Sequence, residues 1–199
     1  FDCYASAHPV PDERGLKAAE VVAQMAAKLG SEDHLLLLIS GGGSALLPAP
    51  PAGISLGEKA VLNEALLASG MDIHQMNAVR RLFSSLKGGR LARLAYPAKI
   101  TQLLLSDVPQ DRLESIASGP AVADPVSLDT AFGLITSHGL DRLEFVARHM
   151  AALRAGTAEG PVRPGAVEVA AVHSQILASN SLCQQVSAKI LMQNCGQSI

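Results

Sequence analysis

The stretch His34-Leu-Leu-Leu-Leu-Ile39, followed at once by Ser40-Gly41-Gly42-Gly43-Ser44, decides the fold. An unbroken aliphatic run of this length predicts a buried strand, and the three glycines behind it predict a loop at the carboxyl end of that strand. A second predicted buried strand, residues 100–105, leads into another polar loop that starts at Ser106. Helical patterns stand between and after the two runs. This order predicts an α/β domain built on a parallel sheet.

Composition limits the kinds of partner. The chain has 199 residues, of which 48% are hydrophobic, with 16 basic and 18 acidic side chains and a net charge of −2. This length suits one large α/β domain, or one domain with a piece of another. The balanced charge argues against nucleic-acid binding, and no apolar run is long enough for a membrane span. We therefore expect a small-molecule partner, and leave a homo-oligomer open.

The three cysteines, Cys3, Cys183 and Cys195, are scattered without metal-ligand or CxxC spacing. This usage fits a reducing compartment, so we expect a cytoplasmic protein in which each thiol is a small buried hydrophobe. The first residue is Phe1 rather than Met, and we expect the chain to be an interior part of a longer protein, incomplete at both ends.

The remaining patterns divide the chain. Asp72 and Gln75 form a capping box that opens an amphipathic helix, predicted to continue to Lys87. Residues 167–172 and 175–178 are predicted strands, and Asn180 is predicted to cap a last helix that ends near Gly196. We expect residues 1–155 to form the core of one domain, 156–165 a linker or loop, and 166–199 a later strand–helix portion of the same or an adjoining domain.

The triple-glycine loop is a candidate phosphate site. Glycines let backbone N–H groups turn inward, and the Ser40 and Ser44 hydroxyls add donors. Loops at the carboxyl ends of parallel strands are where open α/β sheets bind ligands. The spacing matches neither a Walker A loop, nor GxGxxG, nor a GxSxG nucleophile elbow. The alternative is a plain tight turn after the strand.

The predicted helix that opens at Asp72 carries a polar face. Asn77, Arg80 and Ser84 share it, and Lys87 continues it beside Gly88-Gly89. An arginine fork binds carboxylates or phosphates, and lysine supplies a mobile point charge. The alternative is a solvated face. Two glycines in a helix cost roughly 1 kcal/mol each relative to alanine, which suggests a close approach of the backbone to another group.

Two further loops hold weaker candidates. Asp107 and Asp111 follow the second predicted strand and could hold Mg²⁺. Ser118 and Gly119 precede Pro120, in a turn that could add donors to an anion site. Ordinary turn chemistry explains both loops equally well.

The order of these segments resembles a known family. HPVPDE at residues 8–13, LLISGGGSALLPAPPAGISL at 37–56, LLASGMDIHQMNAVRRLFSSLKGGRLA at 66–92, LLLSDVPQD at 103–111 and IASGPAVADP at 116–125 together resemble the glycerate 2-kinases that carry a C-terminal MOFRL domain. Some members of that family are labelled hydroxypyruvate reductases. The resemblance runs from about residue 2 to residue 124 and continues weakly to Asn180.

The resemblance implies ATP-dependent phosphorylation of D-glycerate at its 2-hydroxyl, and a three-layer α/β/α Rossmann-like domain. ATP and Mg²⁺ are the implied cofactors. It assigns phosphate or nucleotide binding to Ser40, Gly41, Gly42, Gly43, Ser44, Gly88, Gly89, Ser118 and Gly119. We assign catalytic roles to Lys87 and Arg80. We expect Asn77 and Arg80 to bind the glycerate carboxylate, and Asp107 and Asp111 to bind the metal. An essential lysine and arginine of the family are implied to lie in sequence outside this chain.

The chain departs from the family pattern at three positions. Gln110 occupies the position of a glycine in the family pattern, Arg112 that of an aspartate and Ala121 that of a threonine. Two other functions stay open. One is an oxidoreductase acting on hydroxypyruvate, although no GxGxxG follows either strand. The other is a non-catalytic, ligand-binding fragment.

Overall fold

The structure, a computed structural model, describes residues 2–8 and 10–195. Its three strands are β1 (His34–Ile39), β2 (Lys99–Ser106) and β3 (Val172–Ser179). They form one parallel sheet with β2 in the centre. His34 lies opposite Lys99, and Gln102 lies opposite Ser174. The prediction of an α/β fold on a parallel sheet is confirmed.

Helices pack against the sheet, and further helices build a second core beside it. Those with α-helical hydrogen bonding are α1 (Glu13–Ala26), α2 (Gly43–Leu46), α3 (Leu56–Ala68), α4 (Ile73–Leu82), α5 (Arg90–Ala95), α6 (Leu128–Ser137), α7 (Glu144–Arg154), α8 (Val167–Ala170) and α9 (Asn180–Cys195). Side-chain caps fix several starts, because Asp12, Ser55 and Asp72 each accept a backbone N–H of the first turn. Among the described residues, no helix is both long enough and apolar enough to cross a membrane.

The two faces of the sheet differ. Ile100, Leu91 and Ala19 belong to a buried core that joins one face to α1 and α5. On the other face, Leu36 and Leu38 remain 56% and 73% exposed. Leucines on both faces of a parallel strand are typical of a sheet with helices on both sides. In the part of the chain that the structure describes, helices cover one face only.

A second core joins α3, α4, α6 and α7. Leu66, Val79, Phe83 and Ile135 are fully buried in it. Three residues after Phe83, Leu86 is buried in the sheet core instead. The segment that carries Lys87 is therefore anchored in one core at Phe83 and in the other at Leu86.

The helix prediction that extended to Lys87 is wrong. Helix α4 ends at Leu82, and Phe83 leaves helical geometry with φ −98° and ψ 40°. The Ser84 hydroxyl then accepts the N–H groups of Leu86 and Lys87, at 3.4 and 3.3 Å. A serine that bonds nearby backbone competes with the helix in this way. Gly88 and Gly89 consequently lie in a turn, so the cost of glycine in a helix does not apply to them.

Two other local predictions are wrong. Residues 167–170 form helix α8 rather than a strand, and β3 runs without a break from Val172 to Ser179. The thiols of Cys3 and Cys183 are exposed rather than buried. The Cys195 side chain and the predicted helix end near Gly196 lie outside the described residues.

The segment 156–165 forms neither helix nor strand and packs into the molecule. The Val162 side chain is fully buried, and its N–H donates to the Gly88 carbonyl at 2.8 Å. The Val162 carbonyl accepts the Asp124 N–H at 2.8 Å. This segment therefore supports the turn that follows Lys87.

Candidate functional site

The glycine loop leaves the carboxyl end of β1 and turns directly into α2. Gly42 adopts φ +79°, a left-handed conformation that favours glycine. A Cβ atom at Gly41 would lie 2.3 Å from Asp107 Oδ2, and one at Gly43 would lie 3.1 Å from the Ala117 Cβ. Gly41 and Gly43 therefore let the loop after β2 approach the loop after β1.

Lys87 joins this loop to two other motifs. Its Nζ donates to the Ser44 carbonyl and, at 2.9 Å, to the Ser44 hydroxyl. The Ser44 hydroxyl lies 3.0 Å from that of Ser118. Lys87 is only 5% exposed. The structure thus brings together a cation, the glycine loop and the Ser118 turn.

A cavity of about 300 Å³ opens beside this junction, and Ser40, Gly41, Gly43, Lys87 and Ala117 line it. We call it the glycine-loop pocket. The ring of His8 lies close by, 3.4 Å from where a Gly42 Cβ would stand.

Gly88 and Gly89 serve packing. Their N–H groups donate to the carbonyls of Ser118 and Gly119, at 3.1 and 2.9 Å. A Cβ at Gly89 would lie 2.7 Å from the Val162 Cβ. Because these N–H groups already bond to backbone, the two glycines hold the Ser118 turn beside Lys87 rather than present free donors to a ligand.

The loop after β2 carries unusual backbone conformations. Gln110, Asp111, Ala117 and Ser118 all have φ between 50° and 64°. They are the non-glycine residues with positive φ in the described part of the chain. Gln110 thus adopts the conformation that suits the glycine of the family pattern. Such residues cost about 1 kcal/mol or more each and concentrate at functional sites.

Asp107 and Asp111 are placed differently. The Asp107 carboxylate lies against Gly41 and is exposed, whereas Asp111 is half-buried in the turn beyond it. Within the described ranges, no cluster of three or more His, Cys, Asp or Glu side chains could hold a metal alone. Mg²⁺ commonly takes one or two carboxylates together with substrate phosphates and water, so Asp107 beside the glycine loop, a candidate phosphate site, fits that donor set.

Arg80 lines a second cavity, of about 410 Å³, which Ser44 also lines. Lys59, Asn63, Glu64 and Lys87 also line it, and we call it the cationic pocket. Asn77 does not line it, but its Oδ1 accepts from Arg80 Nη1 at 3.4 Å. Lys87 is shared by both pockets, so the two cavities meet at its side chain.

Residues 1–151 match the family described as Domain of unknown function (DUF4147). The chain belongs to this family. It is 44% identical over 183 residues to the "Putative hydroxypyruvate reductase" of Agrobacterium vitis, with 92% of this chain and 40% of that protein aligned. It is 43% identical over 148 residues to the D-glycerate 2-kinase of Thermotoga maritima, with 74% of this chain and 36% of that protein aligned.

A solved structure agrees with these relatives. The crystal structure of glycerate kinase from Thermotoga maritima superposes with a TM-score of 0.83 and 36% identity, over 98% of this chain and 44% of that one. The DUF4147 chain therefore spans about two fifths of the length of these proteins. The resemblance seen in the sequence motifs is confirmed.

In this DUF4147 chain, burial and the repulsion between like charges lower the pKa values of the basic side chains at the site. Burial, and then the charges of Lys59 and Arg80, hold the pKa of Lys87 well below its ordinary value. Burial, and then Arg80 and Arg90, lower the pKa of Lys59 to about 8. Burial also lowers the pKa of Arg80. Like charges gathered in a partly dry cavity disfavour one another unless an anion joins them.

Lys59 is a site residue that the sequence reasoning missed. It precedes Leu62 and Leu66 at helical spacing, on the buried face of α3. A lysine on an apolar helix face is the signal that could have found it, since lysine is almost never fully buried without a reason.

Proposed function

We propose that this chain is the phosphate-binding part of an ATP-dependent glycerate 2-kinase, which forms 2-phospho-D-glycerate. The observation that carries the proposal is the contact between Lys87 Nζ and Ser44 at the glycine loop. It unites a buried cation with a loop at the carboxyl end of a parallel strand, the usual ligand position in such sheets. The names of the Thermotoga maritima relative and structure support the same reaction.

The reaction moves one phosphoryl group. The bond between the γ-phosphorus and the β,γ-bridging oxygen of ATP breaks, and ADP leaves with that oxygen. A bond forms between the γ-phosphorus and the glycerate 2-hydroxyl oxygen, and the hydroxyl proton passes to solvent water. Such transfers depend on positioning and charge neutralisation rather than on covalent help from the protein. In this proposal Lys87, which lines both pockets, neutralises the phosphoryl oxygens during transfer.

The remaining assigned residues have supporting tasks. Gly41 and Gly43 allow nucleotide phosphates to approach the backbone closely. The Arg80 guanidinium donates two parallel hydrogen bonds to the glycerate carboxylate, and Asn77 orients that guanidinium. Ser118 positions Ser44 through their hydroxyl contact. Mg²⁺, held by Asp107 with Asp111 nearby, would neutralise phosphate charge when bound.

A cytoplasmic location is part of the proposal. The exposed thiols of Cys3 and Cys183 are free, as a reducing compartment would keep them.

The test is a pair of coupled assays on one preparation of the whole kinase of which we propose this chain to be a part. We expect ADP release from ATP and Mg²⁺ that depends on D-glycerate. Oxidation of NADH or NADPH by hydroxypyruvate, without ADP release, would instead establish the oxidoreductase. Calorimetric binding of ATP-Mg and glycerate without any turnover would support the non-catalytic alternative and overturn the kinase.

A further inference from the structure

Lys59 is a buried cation without a carboxylate partner among the described residues. It is 6% exposed, and it forms no ion pair within 4.0 Å in that part of the chain. Its Nζ donates to the Phe83 carbonyl, just past the end of α4. An ammonium group has three donors, so two are left for another acceptor.

Within the described residues, no carboxylate forms an ion pair with Lys59, Arg80 or Lys87. Asp124 is occupied by a two-point pair with Arg81, at 2.8 and 2.9 Å. Glu159 lies 3.6 Å from Arg93. Glu64 lines the pocket but is exposed to solvent.

Lys59, Arg80 and Lys87 therefore place three positive charges around one cavity of about 410 Å³. Burying several charges of one sign away from water costs free energy unless a charge of the opposite sign is buried with them. Polar groups of this kind in a cleft mark a candidate binding site. A small anion inside the pocket would supply the missing counter-charge.

We propose that Lys59 is a substrate-binding residue, which together with Arg80 holds the carboxylate of the small hydroxy acid in the cationic pocket. The identity of that acid rests on the proposed function. The division of tasks follows from the geometry. Lys87 borders both pockets and faces the glycine loop, whereas Lys59 lines the cationic pocket only. The bond to Phe83 fixes the Lys59 ammonium before the ligand arrives, which lowers the entropy cost of binding.

The experiment titrates D-glycerate, and separately inorganic phosphate, into the full chain by calorimetry. Lys59→Met removes the charge at similar length, Lys59→Arg keeps it, and Lys17→Met, on the exposed face of α1, is the matched control. We expect Lys59→Met to weaken D-glycerate binding about 10- to 100-fold, Lys59→Arg to restore much of it, and Lys17→Met to leave it unchanged. Phosphate binding, which depends on Lys87 and the glycine loop, should change less than threefold in either Lys59 variant.

Unchanged D-glycerate affinity in Lys59→Met overturns the inference, and so does an equal loss of phosphate affinity, because the carboxylate assignment would then be wrong. The kinase assay separates this failure from that of the proposed function. If Lys59→Met releases ADP with an unchanged KM for D-glycerate, Lys59 does not bind the substrate, and the proposed kinase function still stands. If Lys59→Met loses D-glycerate binding and the wild type releases no ADP, Lys59 binds the anion as inferred but the proposed kinase function is wrong.

Discussion

Lys87 Nζ lies 2.9 Å from Ser44 Oγ, although the two residues are 43 positions apart in the chain. This contact fixes the cation at the end of the glycine loop. The Phe83–Leu86 segment, anchored in both hydrophobic cores, carries Lys87 to that point. The position of Lys87 at the glycine loop therefore depends on how the two cores pack against each other.

Removing the Lys87 charge should abolish most of the activity without unfolding the protein. We expect Lys87→Met to lower kcat/KM for ATP-dependent glycerate phosphorylation about 10²- to 10³-fold, because a charge that neutralises the transferring group acts mainly in the transition state. Steady-state ADP release measures the change, with Lys17→Met as the control on the exposed face of α1. A Lys87→Met enzyme with wild-type kcat/KM would exclude Lys87 from the reaction.

Gly89 should be among the least replaceable glycines. Gly89 and Gly70 both have φ +78°, but a Cβ would lie 2.7 Å from the Val162 Cβ at Gly89 and would meet nothing within 4 Å at Gly70. We expect Gly70→Ala to lower the free energy of unfolding by about 1 kcal/mol through backbone strain alone, and Gly89→Ala by about 3 kcal/mol, because overpacking is added. Urea denaturation measures both. Equal losses would show that the contact with Val162 relaxes at little cost.

The Arg81–Asp124 pair should be essential to stability as a pair. The two side chains are 3% and 2% exposed and joined at 2.8 Å. Arg81→Met leaves a buried carboxylate without its partner, and we expect the free energy of unfolding to fall by about 3–5 kcal/mol. The double variant Arg81→Met with Asp124→Leu should lose less than the single one. A double variant that loses the sum of both single losses would contradict the coupling.

Lys59 should make stability depend on pH in the alkaline range. Burial lowers its pKa from 10.5 to about 8 in the folded protein. Below pH about 8 both states hold the proton, and folding bears the full cost of the buried charge. Between about 8 and 10.5 the unfolded chain binds more protons than the folded one, so stability rises with pH. We expect the wild type to gain on the order of 3 kcal/mol relative to Lys59→Met across that interval.

Urea denaturation of both proteins at several pH values checks this, since other titrating groups cancel in the comparison. A difference between wild type and Lys59→Met that stays constant with pH would mean that Lys59 keeps an ordinary pKa.

Local features of this protein could be predicted from its sequence because their causes lie within a few residues. The β1 strand has the predicted bounds, and Asp72 and Gln75 form the predicted capping box. Val79, Leu82 and Phe83 are buried, in agreement with the predicted amphipathic character of that helix. The ordered motifs also indicated the family. Where a local signal competed with another, as at Ser84 after Leu82, the prediction of a continuous helix was wrong.

The amino-acid sequence by itself determined strands β1 and β2, the Asp72 capping box, the buried face of α4 and the glycine loop, since period, turn chemistry and backbone freedom act over a few residues. Only the tertiary structure decided that Lys87 meets Ser44, that Gly89 is needed against Val162, and that Lys59 is a buried cation in the same pocket. These facts depend on contacts between distant segments. Burial and the field of neighbouring charges exist only after those segments have packed together.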